Sequence, residues 1–567
     1  MSRFCLFLLF SCIGLSVQKS TPQDDHYVGA VVEYQVTGNV ATNLVNYANL
    51  IKEAADQGAD IVVFPELTLT NGSTYFTVPI NGALKQYPIP ALSHLIFDEF
   101  LVGISTAARQ NDIYVVINGR ERMDCTNPDT ATTGGEYCPE AKEYIFNTNV
   151  VFDRTGAVID RFRKINLFGE YTHTPALRPE LGLFTTDFGV TFGHFICFDL
   201  MFQVPAVQVV QKSHVKDVIF PTMWFSELPY LTAVQIQEAY AYSLDVNFLG
   251  AGANNVRVGS AGSGIYSGKA GALVSIMPGL PTTKVLVAKV PKVPGQVTEP
   301  YPGPIYDNPA NHDNLRLITD LSLPSHISRL LQPGSQEFTL VHRDTTCTFN
   351  VTLALREGTT HYRYRAGVFS GVRSFSGVAT GGTRICGVYA CTGDTRETCG
   401  LRFSSYIPDT TAIFEELTIT ARMPTPAIVA DLDTNNAIVY PVSSKVSIMP
   451  LEAKEFDYTT SKYGTNTIFT MTLKNSAAEL LAFAVWGRRF ATDGQVEDPA
   501  LTDAEGDVTP VSTTAGPSTV STTTVSTTTE IPTTQASTTA EPGASAVHLL
   551  SRVLFAAMLA LLCYSQF

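Results

Sequence analysis

Tyr27-Val28-Gly29-Ala30-Val31-Val32-Glu33-Tyr34, the segment Ala41 to Gln57, and Asp60-Ile61-Val62-Val63-Phe64 together decide the fold. The outer two pieces are short, apolar and rich in valine and isoleucine, as buried strands are. Between them Ala41, Leu44, Val45, Ala48, Ile51 and Ala55 fall on the i, i+3, i+4, i+7 stripe of an amphipathic helix, and Gly58 stands where a terminator belongs. Strand, helix, strand is a βαβ unit, so the two strands are expected to be parallel neighbours in an α/β domain.

The pattern continues outward. A helix over Ser93 to Asn111 leads into a strand over Ile113 to Ile117, and the strands Thr148–Asp153 and Ala157–Phe162 flank the turn Arg154-Thr155-Gly156. Thr191-Phe192-Gly193-His194-Phe195-Ile196-Cys197-Phe198-Asp199 reads as a strand that delivers Cys197 at its end. Val204–Ser213 and Leu231–Leu244 read as helices, Asp217–Phe220 and Val246–Ala251 as strands. Beyond Pro291 the texture turns proline-rich, then to alternating strands at Phe338–His342, Cys347–Leu355 and Thr360–Tyr364. The expected organisation is an α/β domain over 25–290, a linker over 291–330 and a smaller, mostly β, cysteine-rich domain over 331–495.

The 567 residues carry a formal net charge of -14 and 45% hydrophobic content. That size supports two or three packed domains. The acidic balance excludes a nucleic-acid partner, because nothing would drive counterion release. Arg3 followed by the apolar run Phe4 to Leu15 reads as a signal peptide over 1–20. Thr509 to Ala540 is almost wholly Thr, Ser, Pro, Val and Ala, which gives an O-glycosylated stalk over 505–542. Gly543, Ala544 and Ser545 precede an apolar tail, Val553 to Tyr564, with no basic residues after it. This reads as a GPI-attachment signal over 543–567, with Ser545 or Gly543 as the anchored residue and the extracellular face of the plasma membrane as the address. Asn71-Gly72-Ser73 and Asn350-Val351-Thr352 are glycosylation sequons.

Ten cysteines are present, of which Cys5 and Cys12 lie in the signal segment and Cys563 in the tail. The seven that remain are an odd number, which points to one free thiol in an oxidising compartment. Cys125 and Cys138 flank a short polar stretch and are expected to pair. Cys347, Cys386, Cys391 and Cys399 crowd into the later β region. Cys197 is left over.

Three residues stand just past predicted strands of the α/β domain. Glu66 abuts Ile61-Val62-Val63-Phe64, where poor hydration raises a carboxyl pKa toward that of a general base. Lys164 ends Arg161-Phe162-Arg163-Lys164, and Cys197 is the third. Acyl transfer from an amide needs a nucleophile, a base that returns its proton to the departing amine, and positive charge at the developing oxyanion. No segment has metal-ligand spacing, and the glycines around Gly262 lack the context of a phosphate loop, so neither metal nor nucleotide cofactor is expected.

Phe64-Pro65-Glu66, the Lys164 segment RFRKINLFGEY and the Cys197 segment FGHFICFDLMF resemble the Glu-Lys-Cys triad of the nitrilase superfamily of carbon–nitrogen hydrolases. Pro221-Thr222-Met223-Trp224, Asp245-Val246-Asn247-Phe248-Leu249 and Gly262-Ser263-Gly264-Ile265-Tyr266 are similar to the vanin and biotinidase branch. The resemblance implies an α-β-β-α sandwich followed by a disulfide-stapled β domain. It implies Cys197 as nucleophile, Glu66 as general base and acid, and Lys164 with the Phe198 backbone N–H at the oxyanion, with Trp224 in the pocket. It also implies a second glutamate near the nucleophile, for which Glu121, in Asn118-Gly119-Arg120-Glu121 after a predicted strand, is the candidate, an exposed charged loop being the other reading. The implied substrate is a linear secondary amide: pantetheine, cleaved to pantothenate and cysteamine, or a biotinyl-lysine amide. A glycosylated surface-binding module on the same fold, and acyl transfer to an amine instead of water, are the rival readings.

Overall fold

The computed structural model describes residues 19–126, 137–358 and 360–501. The signal segment through residue 18, the stalk and the tail lie outside the described residues.

β1 (His26–Gln35) and β2 (Ile61–Val63) are parallel, with Gly29 opposite Ile61 and Val31 opposite Val63. Between them runs α1 (Val40–Asp56), capped by the Asn39 side chain, which accepts from the Thr42 N–H at 3.0 Å. The next helix, α2 (Glu99–Asn111), begins later than Ser93 because Asp98 is its cap, accepting from the Leu101 N–H at 3.1 Å. β3 (Tyr114–Asp124) runs well past Ile117 and pairs parallel to β2 and antiparallel to β4 (Glu143–Phe152), which carries β5 (Val158–Arg163) on its other edge.

These strands form one leaf, closed on the far side of β1 by the antiparallel strand Lys284–Pro291. The second leaf begins with β6 (Gly182–Thr185), β7 (Thr191–His194) and β8 (Asp217–Thr222). It continues through Asn247–Asn254, Ser263–Ser267 and Ala272–Ile276 to Gly303–Ile305. The leaves touch at the end of β1, where Tyr34 and Gln35 pair with Ala253 and Asn254.

Strand periodicity sorts the side chains into layers. Ala30, Val32, Val62 and Phe64 pack on α1 and α2, while Val31, Ile61 and Val63 meet Phe192, Ile219 and Leu249 of the second leaf. Phe220 and Phe248, on the second leaf's outer face, pack with Tyr240 of α3 (Ala233–Leu244). Helix, sheet, sheet, helix is the expected α-β-β-α sandwich. The expected helix over Val204–Ser213 is reduced to one turn at Gln203–Val207 and another at Gln208–Gln211, with Val204 outside helical geometry.

The C-terminal domain consists of two five-stranded antiparallel sheets. Cys347 of one bonds Cys386 of the other, while Cys391–Cys399 and Cys125–Cys138 close short loops. The proline-rich segment 291–330, expected as a linker, is itself folded. Gly303–Ile305 extends the second leaf, Ile318–Thr319 pairs with Glu227–Leu228, and His312 is buried, donating from Nε2 to the Met277 carbonyl at 2.7 Å. Pro304 lies within the Gly303–Ile305 strand, opposite Ser275, and the segment's apolar Leu315 and Leu323 join the core that runs through both domains.

Candidate active site

The segment around Cys197 departs from a plain strand. β7 ends at His194, and Cys197 opens a 3-10 helix, Cys197–Met201, with φ at +47°. A non-glycine residue held in that left-handed region persists only where its surroundings dictate it, and such positions cluster at functional sites. The turn lifts the cysteine off the sheet. It also leaves the Cys197 and Phe198 N–H groups among those that a helix start cannot bond internally.

Glu66, Lys164 and Cys197 converge at the ends of β2, β5 and β7. Lys164 Nζ donates to Glu66 Oε1 at 2.7 Å and to Glu170 Oε2 at 2.8 Å. Asn147 Nδ2 donates to an oxygen of each glutamate, and the Met223 N–H donates to Glu66 Oε2 at 2.7 Å. Asn147 is oriented in turn by Asn118, whose Nδ2 donates to its Oδ1 at 2.8 Å. The thiol donates to the Met223 carbonyl at 3.6 Å and lies beside the Glu66 carboxylate. It is the free cysteine among the described residues, and it is buried.

Burial pushes the Glu66 carboxyl up, and the charge of Glu170 adds to this against the pull of Lys164. Burial alone would lower Lys164, but Glu170, Glu66 and Cys197 together hold its ammonium well above the usual range. Burial pushes the Cys197 thiol well up, and Glu66 adds to that. The resting site therefore holds a neutral thiol, a fixed cation and a carboxylate that gains a proton more readily than a solvated one. A carboxylate in that state can accept the thiol proton as a reaction begins.

Glu170 is the second carboxylate, and Glu121 is not. Glu121 sits within β3 and is buried, accepting from Arg163 through both oxygens, from Arg161 at 3.4 Å and from Thr148 at 2.8 Å. The expectation failed because β3 continues through the point where a loop was predicted, carrying Glu121 into a cross-strand ion cluster. Glu170 and Asn147 were missed, although Glu170 stands inside the segment RFRKINLFGEY. Asp199 was missed as well. Buried, with burial raising its pKa to about 7, it accepts from the Asn166 backbone at 2.8 Å and side chain at 2.9 Å, tying the Lys164 loop to the Cys197 helix.

Trp224 lines the cavity above Cys197, anchored by its Nε1 donating to the Leu231 carbonyl at 2.8 Å. The cavity measures about 30 Å³ and is walled mainly by aromatic and aliphatic side chains. That is room for roughly a water or two. Asn71 is half-buried and donates from Nδ2 to the Gly38 carbonyl at 3.0 Å, while Asn350 points away from the core of its sheet.

This fold and this constellation define a carbon–nitrogen hydrolase, and residues 29–292 match that family's profile. Residues 315–493 match the vanin C-terminal domain. Vanin-like protein 2 of Drosophila melanogaster is 34% identical over 517 residues, spanning 86% of this chain and 94% of the relative. Biotinidase of Bos taurus is 32% identical over 298 residues (47% and 55% of the two chains), and human pantetheine hydrolase VNN2 is 33% identical over 266 residues (43% and 50%). The chain belongs to the vanin and biotinidase branch of the nitrilase superfamily, the amidohydrolases.

Proposed function

We propose that this protein hydrolyses linear secondary amides through a thioester on Cys197. The observation that carries the reading is Glu66 held between Lys164 Nζ and the Met223 N–H, beside the thiol. Cys197 Sγ attacks the amide carbon as Glu66 takes the thiol proton. The oxyanion forms toward Lys164 and the Phe198 N–H. Glu66 returns the proton to the amine as the C–N bond breaks, then takes a proton from water, which attacks the thioester and frees the acid and the thiol. Glu170 and Asn147 hold Lys164 and Glu66 in register throughout. Keeping all these buried charges serves chemistry, whereas a purely binding module would have no need of them.

Pantetheine is the proposed substrate. Supporting it are the near full-length match to a vanin-like protein and the similarity to a pantetheine hydrolase. Biotinyl-lysine is the second reading, favoured by the similarity to biotinidase and by the apolar, aromatic cavity. The three disulfides suit the secretory route and lipid-anchored address that the termini suggest. The test is to offer both amides to the glycosylated ectodomain and look for an acyl adduct on Cys197 by mass spectrometry. Turnover of pantetheine with such an adduct supports the first reading. An unreactive Cys197 overturns the enzyme, and release of the acyl group only by added amine reassigns it as a transferase. Release of surface protein by a phosphatidylinositol-specific phospholipase tests the anchor.

A further inference from the structure

The cavity above Cys197 is not built by the α/β domain alone. Arg363–Phe375 and Ala379–Cys391 of the C-terminal domain form a hairpin, and its tip brings Phe375 and Ser376 into that cavity's lining. The tip is a tight turn with φ of +52° at Ser376 and +74° at Gly377, closed by the Val378 N–H on the Phe375 carbonyl at 3.0 Å and the Gly377 N–H on Ser374 Oγ at 2.9 Å. The Phe375 ring meets Phe198 edge-on at 5.7 Å, next to the nucleophile. On the other side, Val378 reaches the loop of Glu170: a Cβ placed on Gly169 would lie 3.9 Å from it.

The hairpin is held to the first domain by a wholly buried arginine. Arg373 donates to both oxygens of Glu227 at 2.7 Å and to Asp320 at 2.9 Å, and its guanidinium lies 4.6 Å from the centre of the Phe375 ring. Glu227 itself lines the cavity. A planar fork satisfied on both prongs fixes direction as well as distance.

We propose that the tip Phe375–Val378 is the wall of the substrate pocket that selects among amides by the bulk of the group beside the scissile bond, with Arg373 as its positioning residue. This rests on Cys197 being the nucleophile. The C-terminal domain is then part of the specificity machinery. Truncating Phe375 widens the cavity without touching Cys197, Glu66 or Lys164.

The experiment compares the full ectodomain with Phe375→Ala, Phe375→Leu and Arg373→Lys. Each is alkylated at Cys197 by iodoacetamide and, separately, by the bulkier N-phenyl-iodoacetamide. In Phe375→Ala the ratio of bulky to small alkylation rate is expected to rise about tenfold, the scale on which an apolar pocket discriminates by size. Phe375→Leu should return it most of the way, and Arg373→Lys, which loses the fork, should raise it less. A ratio unchanged within about twofold in a folded Phe375→Ala protein overturns the proposal. So does an equal acceleration of both reagents, which would mean general loosening. If Phe375→Ala does not fold, Phe375→Leu and Arg373→Lys decide the question by the same ratio. Failure of both reagents to label Cys197 in the wild type and in Phe375→Ala would instead overturn the nucleophile assignment, and failure to turn over pantetheine would touch only the substrate.

Discussion

Arg163 and Lys164 are neighbours in sequence, yet each anchors a buried ion cluster of opposite bias. Lys164 serves two carboxylates, Glu66 and Glu170, so negative charge is in excess and burial keeps Glu66 proton-hungry. Glu121 serves two arginines, Arg163 and Arg161; burial works against its charge, but the two cations hold its pKa below the usual carboxylate range. The first cluster can move a proton and the second cannot. The count of charges in each pocket, more than the residue types, separates chemistry from mortar.

The sharpest way to break that contrast is at Cys197, the proposed nucleophile. Cys197→Ala is expected to abolish amide turnover, by about 10⁴-fold or more, while leaving the thermal midpoint close to wild type. Glu66→Gln comes next: kcat should fall by about 10²–10⁴-fold, with Cys197 still open to alkylation, as single-turnover assays and labelling will register. If Glu66→Gln retains more than a tenth of wild-type kcat, the proton-moving cluster has been assigned to the wrong residue.

The two second carboxylates should then diverge. Glu170→Gln removes a charge that disfavours Glu66 ionisation, so the acid limb of the kcat/KM profile is expected to move to lower pH. Glu121→Gln removes the negative charge between two buried arginines and should cost about 3–5 kcal/mol of stability, read by urea unfolding at pH 7, with that limb unmoved. Because the folded pKa of Glu121 is depressed, its contribution is present above the unfolded carboxyl pKa and lost as pH falls through the folded value. The gap between Glu121→Gln and wild type must therefore shrink in acid. A gap that holds constant to acid pH would disprove the ion-cluster reading.

The smallest expected effect lies where α3 meets the second domain. Burial raises Glu238 from 4.5 to about 8, beside Lys445, Glu452 and Glu455. A raised carboxyl pKa makes folding less favourable as pH climbs from the unfolded value toward the folded one. Glu238→Gln should flatten that decline and leave the variant more stable than wild type by about 2 kcal/mol at pH 6, with little difference near pH 4.5. Unfolding midpoints across that range would check it.

Much of this was legible in the sequence alone. The βαβ unit followed from the stripe over Ala41 to Ala55 between two valine-rich runs, and the odd cysteine count isolated Cys197 before any geometry did. Glu66 was visible because a carboxylate directly after an apolar strand is conspicuous. Glu121 misled because β-strand length is set by pairing with a partner, here β4 opposite residues 115–124, and no local signal announces that partner. Asn147 is one of three consecutive polar residues, with Thr148 and Asn149, in a strand buried from Phe146 onward, and only its two glutamates make it distinctive. Phe375 was invisible for a plainer reason. Its hairpin reads as any exposed β turn, and the nucleophile it approaches comes much earlier in the chain.

Met223 supplies both ends of the base–nucleophile pair: its N–H grips Glu66 and its carbonyl receives the Cys197 thiol. One residue is thus a ruler whose marks are bond lengths. The spacing between base and nucleophile is thereby tied to the span from one residue's N–H to its own carbonyl, a length that no repacking of the side chains around the cavity can change.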